Sequence, residues 1–240
     1  MSGVLALVGG DEFKRGNDEQ DRLLVAAAGK GPAYVIPTAA ARQQPQEAVS
    51  HATQWFKELG LDLEELRVLT RTDANSKVVA EQARGGGFFY LAGGDPGLVV
   101  QVLRSSRVWT SIFQAWLDGA VLAGSSAGAM ALGSHTLIRA SWPNRFNRRP
   151  TEALGVVPGT AVLPHYETFG HRWIESATRE LPGTTLLGID ERSAALWIDG
   201  AWRAAGPGKV TVIEGPTATA FESGSTLTGL RAPASIVATQ

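Results

Sequence analysis

The sequence predicts an α/β protein. A mostly parallel, doubly wound sheet forms three layers with helices on both its faces, and an antiparallel extension follows at the C-terminal end. Three observations carry this expectation. Short apolar runs alternate with segments of helical periodicity through the first half of the chain, the pattern of βαβ units. The runs Val4–Val8, Ala33–Ile36, Phe88–Leu91 and Val121–Ala123 are apolar throughout, as strands covered on both faces must be. Late in the chain, short strands recur around Asp199-Gly200, a type I′ hairpin signal.

Taken in order, Val4–Val8 is the first strand and ends in Gly9-Gly10, and the next helix covers Asp18–Ala28. Ala33–Ile36 is a strand stopped by Pro37. Gln46–Leu59 places Ala48, Ala52, Trp55, Phe56 and Leu59 at helical spacing and stops at Gly60. Arg67–Leu69 is the third strand. Ser76 caps a helix that runs to Arg84. Phe88–Leu91 runs into Ala92-Gly93-Gly94-Asp95, and helices follow at Gly97–Arg104 and Trp109–Asp118. Val121–Ala123 is the fifth strand, with a helix from about Ser126. The polar, Arg-rich stretch Arg139–Arg149 is expected to be a loop. Thereafter come a strand at Thr160–Leu163, a helix at Arg172–Leu181, and short strands at Thr185–Ile189, Ala194–Ile198, Trp202–Ala205 and Val210–Ile213.

Composition narrows the function classes. The 240 residues are 44% hydrophobic and 19% charged, enough apolar material for a sizeable core and too much for disorder. A net charge of −1 demotes a nucleic-acid partner, which calls for a basic excess. With no cysteine, thiolate catalysis, disulfides and Cys-ligated zinc are excluded. The first ten residues are apolar but lack a basic leader and a cleavage pattern, and no apolar run approaches the ~20 residues of a membrane span. The expectation is a cytoplasmic protein with no membrane partner. No internal repeat or linker divides the chain, so residues 1–240 are expected to form one domain.

The chemistry centres on Gly124-Ser125-Ser126-Ala127-Gly128, a G-x-S-x-G pattern between an apolar strand and an apolar helical stretch. A sharp strand-to-helix turn puts its central residue in strained backbone angles, and small flanking residues avoid the clash. Ser126 Oγ then stands at a helix N-terminus, where free N–H groups favour developing negative charge. A serine hydroxyl needs a base. Of the four histidines, His51 lies in a polar helical segment and His135 follows the Ser126 helix closely. His165 directly follows a strand, at the carboxyl edge where sites form in open α/β sheets, and is the preferred base. His171 is the alternative. The acid that orients the base is expected from Glu191, with Asp190 as second choice; Glu167 would have to fold back to reach His165. Oxyanion donors are expected from the N–H groups of Ala127 and Gly94. Gly9-Gly10 lacks the spacing of a phosphate loop, which discounts nucleotide binding.

Ala92-Gly93-Gly94-Asp95, the Gly124–Ala129 turn, Pro164-His165-Tyr166 and Gly188-Ile189-Asp190-Glu191 follow one another in an order that resembles the serine peptidase family of peptidase E (aspartyl dipeptidase) and cyanophycinase. That family has the class I glutamine amidotransferase-like fold. The similarity extends from Val4–Gly10 to the final short strands. It implies a Ser126–His165–Glu191 triad, a homodimer, and hydrolysis with neither metal nor organic cofactor. Pro96 stands where cyanophycinase-like members tend to have Gln, whereas Pro164 before His165 is shared with peptidase E-like members. The chain therefore looks nearer to peptidase E. The expected activity is cleavage of an amide bond in small peptides, as a dipeptidase or exopeptidase acting through an acyl-enzyme. The alternatives are a non-peptide esterase or amidase, and a catalytically silent amidotransferase-like binding protein.

Substrate contacts are expected from Gly93 and Asp95 and from the arginines between nucleophile and base. Arg139, Arg145, Arg148, Arg149 and Arg172 bracket that span, and a guanidinium fork suits a carboxylate. Trp55, Trp109, Trp116 and Trp173 are expected in the core. Trp197 and Trp202 are expected as a cross-strand pair, and Trp142 as a possible lining residue of the site.

Overall fold

The structure is a computed structural model that describes residues 2–139 and 148–235. Along the chain, β1 (Leu5–Val8) leads to α1 (Asp18–Ala27), β2 (Ala33–Ile36), α2 (Pro45–Glu58) and β3 (Leu63–Glu65). Then come α3 (Arg71–Ala74), α4 (Lys77–Arg84), β4 (Phe88–Leu91), α5 (Pro96–Leu103), α6 (Arg107–Leu117) and β5 (Val121–Ser125). The second half holds α7 (Ala127–Leu132), β6 (Gly133–Arg139), β7 (Arg148–Glu152), β8 (Val157–Leu163), α8 (Ile174–Glu180), β9 (Thr185–Ile189), β10 (Ala194–Ile198), β11 (Ala201–Ala205), β12 (Val210–Glu214) and β13 (Thr217–Phe221).

Among the described residues these strands form two sheets. The larger has the order β11-β10-β1-β5-β4-β2-β3. Its β1, β5, β4, β2 and β3 run parallel, and β10 and β11 add an antiparallel edge. The alternation of side chains along each strand sorts the core into two layers. Leu5, Leu7, Ile36, Leu91 and Leu122 face one side, under residues of α4 to α7. Ala6, Val8, Val35, Phe88 and Tyr90 face the other, against Leu24 of α1 and Ala52, Trp55 and Phe56 of α2.

The smaller sheet has the order β13-β12-β9-β8-β6-β7, with β6, β8 and β9 parallel. Its Val162 and Leu187 join the same core layer as Leu5 and Leu7, so the two sheets share one apolar interior. The α/β class, the parallel sheet and the antiparallel C-terminal strands stand as expected. The second sheet is an addition that no periodicity in the sequence announces.

Three local expectations are corrected. The third strand is Leu63–Glu65, while Arg67–Leu69 is outside any strand. Leu66 and Val68 are buried and mimic strand alternation, but the ladder with β2 ends once the Leu66 N–H reaches Val35 O. The ends of the Arg-rich stretch are strand and not loop, with Arg139 of β6 paired to Arg148 of β7. Arg145 and Trp142 lie outside the described residues. The segment expected as one helix from Arg172 begins as a 3₁₀ turn over Gly170–Trp173 before α8. The Asp199-Gly200 hairpin is present, with both residues at positive φ and Trp197 opposite Trp202 at 5.6 Å between ring centres.

Candidate active site

Parallel strands deliver their carboxyl ends to one edge of a sheet, and here two sheets deliver theirs to the same place. The chain leaves β5 at Ser126, whose φ of 47° and ψ of −108° fall in a region that non-glycine residues rarely occupy. Ser126 N–H donates to Val8 O at the end of β1 (3.0 Å), and α7 begins at the next residue. From the second sheet, β8 ends before Pro164-His165. His165 N–H donates to Gly9 O (2.7 Å), and the residue has a φ of 48°. Tyr166 N–H donates to Ile189 O (3.1 Å), holding the end of β9 alongside.

These attachments bring three side chains into line. Ser126 Oγ lies 3.1 Å from His165 Nε2, and His165 Nδ1 lies 2.7 Å from Glu191 Oε1. The His165 and Glu191 side chains keep 20% and 26% of their surface exposed, so the pair is shielded but reachable. Phe169 stacks on the His165 ring, 4.9 Å between centres and 21° between planes, which fixes the ring's plane.

Asp190 is turned away from His165. Its Oδ2 accepts from Lys209 N–H (2.8 Å) at the start of β12. Glu167 does fold back, but toward Glu191, whose backbone N–H donates to both its carboxylate oxygens. Burial pushes the Glu167 carboxyl above its ordinary range, and the charges of Asp190 and Glu191 add to the effect. His171 is exposed and its Nδ1 pairs with Tyr166 O (2.8 Å). His135 pairs with the adjacent Ser134, and His51 is exposed on α2.

A cavity of about 360 Å³ opens beside Ser126 and His165. Gly94, Arg139, Arg148, Phe169 and Trp173 line it. The Arg148 guanidinium sits 4.3 Å above the centre of the Trp173 ring. Its Nε is buried with no acceptor among the described residues. Burial, with the Arg139 charge beside it, draws the Arg148 guanidinium below its ordinary value. Asp95 borders the cavity while its Oδ1 caps α5, accepting from Gly97 N–H (2.9 Å). Gly93 lies behind Gly94 on a second, open cleft. Arg149 and Arg172 are exposed and outside the cavity. Among the described residues no cluster of His, Cys, Asp or Glu is placed to hold a metal ion, and no helix is long and apolar enough to cross a membrane.

The sequence profile of peptidase family S51 matches residues 5–204. The chain belongs to that family, and the family is one of serine peptidases. A cyanophycinase of Trichormus variabilis is 28% identical over 218 residues, covering 88% of this chain and 73% of the relative. A cyanophycinase of Synechococcus elongatus is 28% identical over 220 residues, covering 88% and 67%. Among solved structures, a peptidase from an acI-B1 Actinobacterium superimposes with a TM-score of 0.82 and 29% identity, covering 95% of this chain and 97% of that one. A putative peptidase E protein from Listeria monocytogenes shares the fold, with a TM-score of 0.56 at 19% identity.

In this S51 peptidase, several residues at the site escaped the sequence reading. Phe169, to which the sequence assigns no role, is the ring that covers the imidazole. Trp173 was assigned to the core and does bury there, but it also forms a wall of the cavity. Gln43 lines the cavity too, from a turn that carries no motif. Only the aromatic character of Phe169 and Trp173, close after His165, was a usable signal.

Proposed function

We propose that this serine peptidase cleaves short peptides through an acyl-enzyme on Ser126. The observation that carries the proposal is the continuous chain of contacts from Ser126 Oγ to His165 Nε2 and from His165 Nδ1 to Glu191. In this reading, Ser126 Oγ attacks the carbonyl carbon as His165 Nε2 takes its proton. Glu191 holds the imidazole through Nδ1 and stabilises the imidazolium that forms. The N–H groups of Gly94 and Ala127 receive the oxyanion. His165 then returns the proton to the leaving amine, the C–N bond breaks, and the acyl group stays on Ser126. A water then attacks the ester carbonyl as His165 takes its proton, the acyl C–Oγ bond breaks, and His165 returns the proton to Ser126 Oγ as the acid leaves.

A cavity of about 360 Å³ is near the lower limit of small-molecule sites, which favours a dipeptidase or exopeptidase over an enzyme that threads a long chain. Arg148 and Arg139 favour a substrate with a carboxylate next to the scissile bond. The homodimer and the cytoplasmic location belong to the same proposal, and sedimentation of the purified protein tests the first.

The test is a panel of acidic and neutral dipeptides beside p-nitrophenyl esters, run on the wild type and on Ser126→Ala. Dipeptide hydrolysis that vanishes in Ser126→Ala supports the reading. Turnover of esters alone moves the chain to a non-peptide esterase. Turnover that survives Ser126→Ala overturns the role of Ser126.

A further inference from the structure

The residue that joins the two halves of the proposed oxyanion site is one the mechanism does not use. Glu12 lies in the turn between β1 and α1 and is half-buried. Its Oε1 accepts from the N–H of Gly93 (2.9 Å), and its Oε2 accepts from the hydroxyl of Ser125 (2.8 Å). Gly93 immediately precedes Gly94, and Ser125 immediately precedes Ser126. One carboxylate therefore bridges the turn that carries one proposed oxyanion donor and the strand end that carries the nucleophile and the other donor.

The surroundings fit this bridge. A Cβ on Gly93 would stand 2.7 Å from Glu12 Oε1, so the carboxylate occupies the space that a side chain there would take. The turn that presents Glu12 is wound through positive φ at Gly10, Asp11 and Phe13, a costly path for the two non-glycine residues. It is held there from several sides. Asn17 Nδ2 donates to Asp11 O (2.9 Å), Asp11 pairs with Arg192 (3.1 Å), and Arg192 N–H donates to Gly10 O (2.9 Å). The Phe13 ring packs against Tyr90 and Phe56. Ser125 is fully buried, so its hydroxyl needs an acceptor, and among the described residues it donates to Glu12.

We propose that Glu12 is a positioning residue for the reaction, fixing the Gly94 turn against the Ser125–Ala127 elbow so that both N–H donors meet the same oxyanion. The inference rests on the acyl-enzyme reading. A charged acceptor with two short hydrogen bonds resists displacement more than a neutral one, and oxyanion stabilisation depends on donors held in place before the charge develops. Loosening the bridge therefore acts on the transition state more than on substrate binding.

Glu12→Ala, Glu12→Gln and Ser126→Ala are compared by steady-state kinetics on a dipeptide, by the rate at which a fluorophosphonate acylates Ser126, and by thermal denaturation. The expectation for Glu12→Ala is a kcat lower by about 10- to 100-fold with KM changed by less than about threefold. Fluorophosphonate acylation should slow by a similar factor. Glu12→Gln should recover most of that loss, because its carbonyl still accepts from Gly93 N–H and its amide can donate to Ser125 Oγ. Where Glu12→Ala fails to fold, Glu12→Asp replaces it: one methylene shorter, it cannot span both partners, and a loss of kcat is again expected. Wild-type kcat in Glu12→Ala or its replacement, a change in KM alone, or a Gln variant as impaired as Ala overturns the inference. Activity that survives Ser126→Ala would instead overturn the acyl-enzyme reading itself, so the two failures are distinct.

Discussion

Glu167 receives the backbone N–H of Glu191 on both of its carboxylate oxygens, at 3.0 and 3.1 Å. The acid that touches His165 is thus held by a second acid two residues beyond the histidine. This costs something. Burial raises the pKa of Glu167, and its carboxylate neighbours raise it further. Glu167→Gln keeps one acceptor and removes a negative charge near the His165–Glu191 pair. Its kcat is expected to fall by about 3- to 10-fold, with the acid limb of kcat/KM moved to lower pH because losing a nearby negative charge disfavours the imidazolium. A pH–rate profile of the variant checks both; an unmoved limb would show that Glu167 acts on structure alone.

Arg148 is expected to govern substrates that carry a free carboxylate. It faces the cavity from β7 with its guanidinium over Trp173, while Arg149, next along the strand, points to solvent. Arg148→Ala should raise KM for such dipeptides by roughly tenfold or more, and Arg148→Lys should rescue little, since an ammonium neither forks nor stacks as a guanidinium does. Arg149→Ala and Arg172→Ala should stay within about twofold. Equal KM for acidic and neutral dipeptides in Arg148→Ala and the wild type would remove Arg148 from recognition.

Gly10 is a place where a single methyl group should be felt at the site. Its φ is 111°, and a Cβ there would lie 2.3 Å from His165 Cε1. Gly10→Ala must displace the imidazole, so kcat is expected to drop by about 100-fold while the protein still folds, as circular dichroism would verify. A variant with wild-type kcat would mean that His165 is not held where the structure has it.

Stability should decline with pH because of a buried acid under the first sheet. Asp21 is fully buried, accepts from Trp55 Nε1 (2.7 Å), and its pKa is raised to about 7, chiefly by desolvation. The folded state therefore holds this proton more tightly than the unfolded chain does. The resulting stabilisation is complete below about pH 4 and is lost as pH rises through about 7, with an upper bound of roughly 4 kcal/mol. Asp21→Asn should gain Tm relative to the wild type between pH 5.5 and 8.5. Parallel Tm curves for the two proteins across that range would contradict the assignment.

Much of the site could be read from the chain because backbone constraints leave marks in sequence. A strand followed by Gly-x-Ser-x-Gly and an apolar helix admits few backbones, so Ser126 stands out. His165 and Glu191 each follow an apolar strand, which put both at a sheet edge without saying that the two edges meet. Spacing alone leaves both Asp190 and Glu191 open; in the structure the Lys209 N–H engages Asp190, while Glu191 Oε1 meets His165 Nδ1. The second sheet escaped for a related reason. Parallel pairing of β6, β8 and β9 is set by contacts across the shared core, and β6 and β7 carry too few apolar residues to announce strands. Glu12 left no pattern, since it works through Gly93 and Ser125, both distant in sequence.

The central claim is that Ser126 is the acylated residue, activated by His165. Treating the protein with a fluorophosphonate and mapping the adduct by mass spectrometry tests it most directly. The account predicts a single modified site at Ser126, formed in the wild type and slowed at least 100-fold in His165→Ala. Modification elsewhere, or acylation of Ser126 at an undiminished rate without the imidazole, would contradict it.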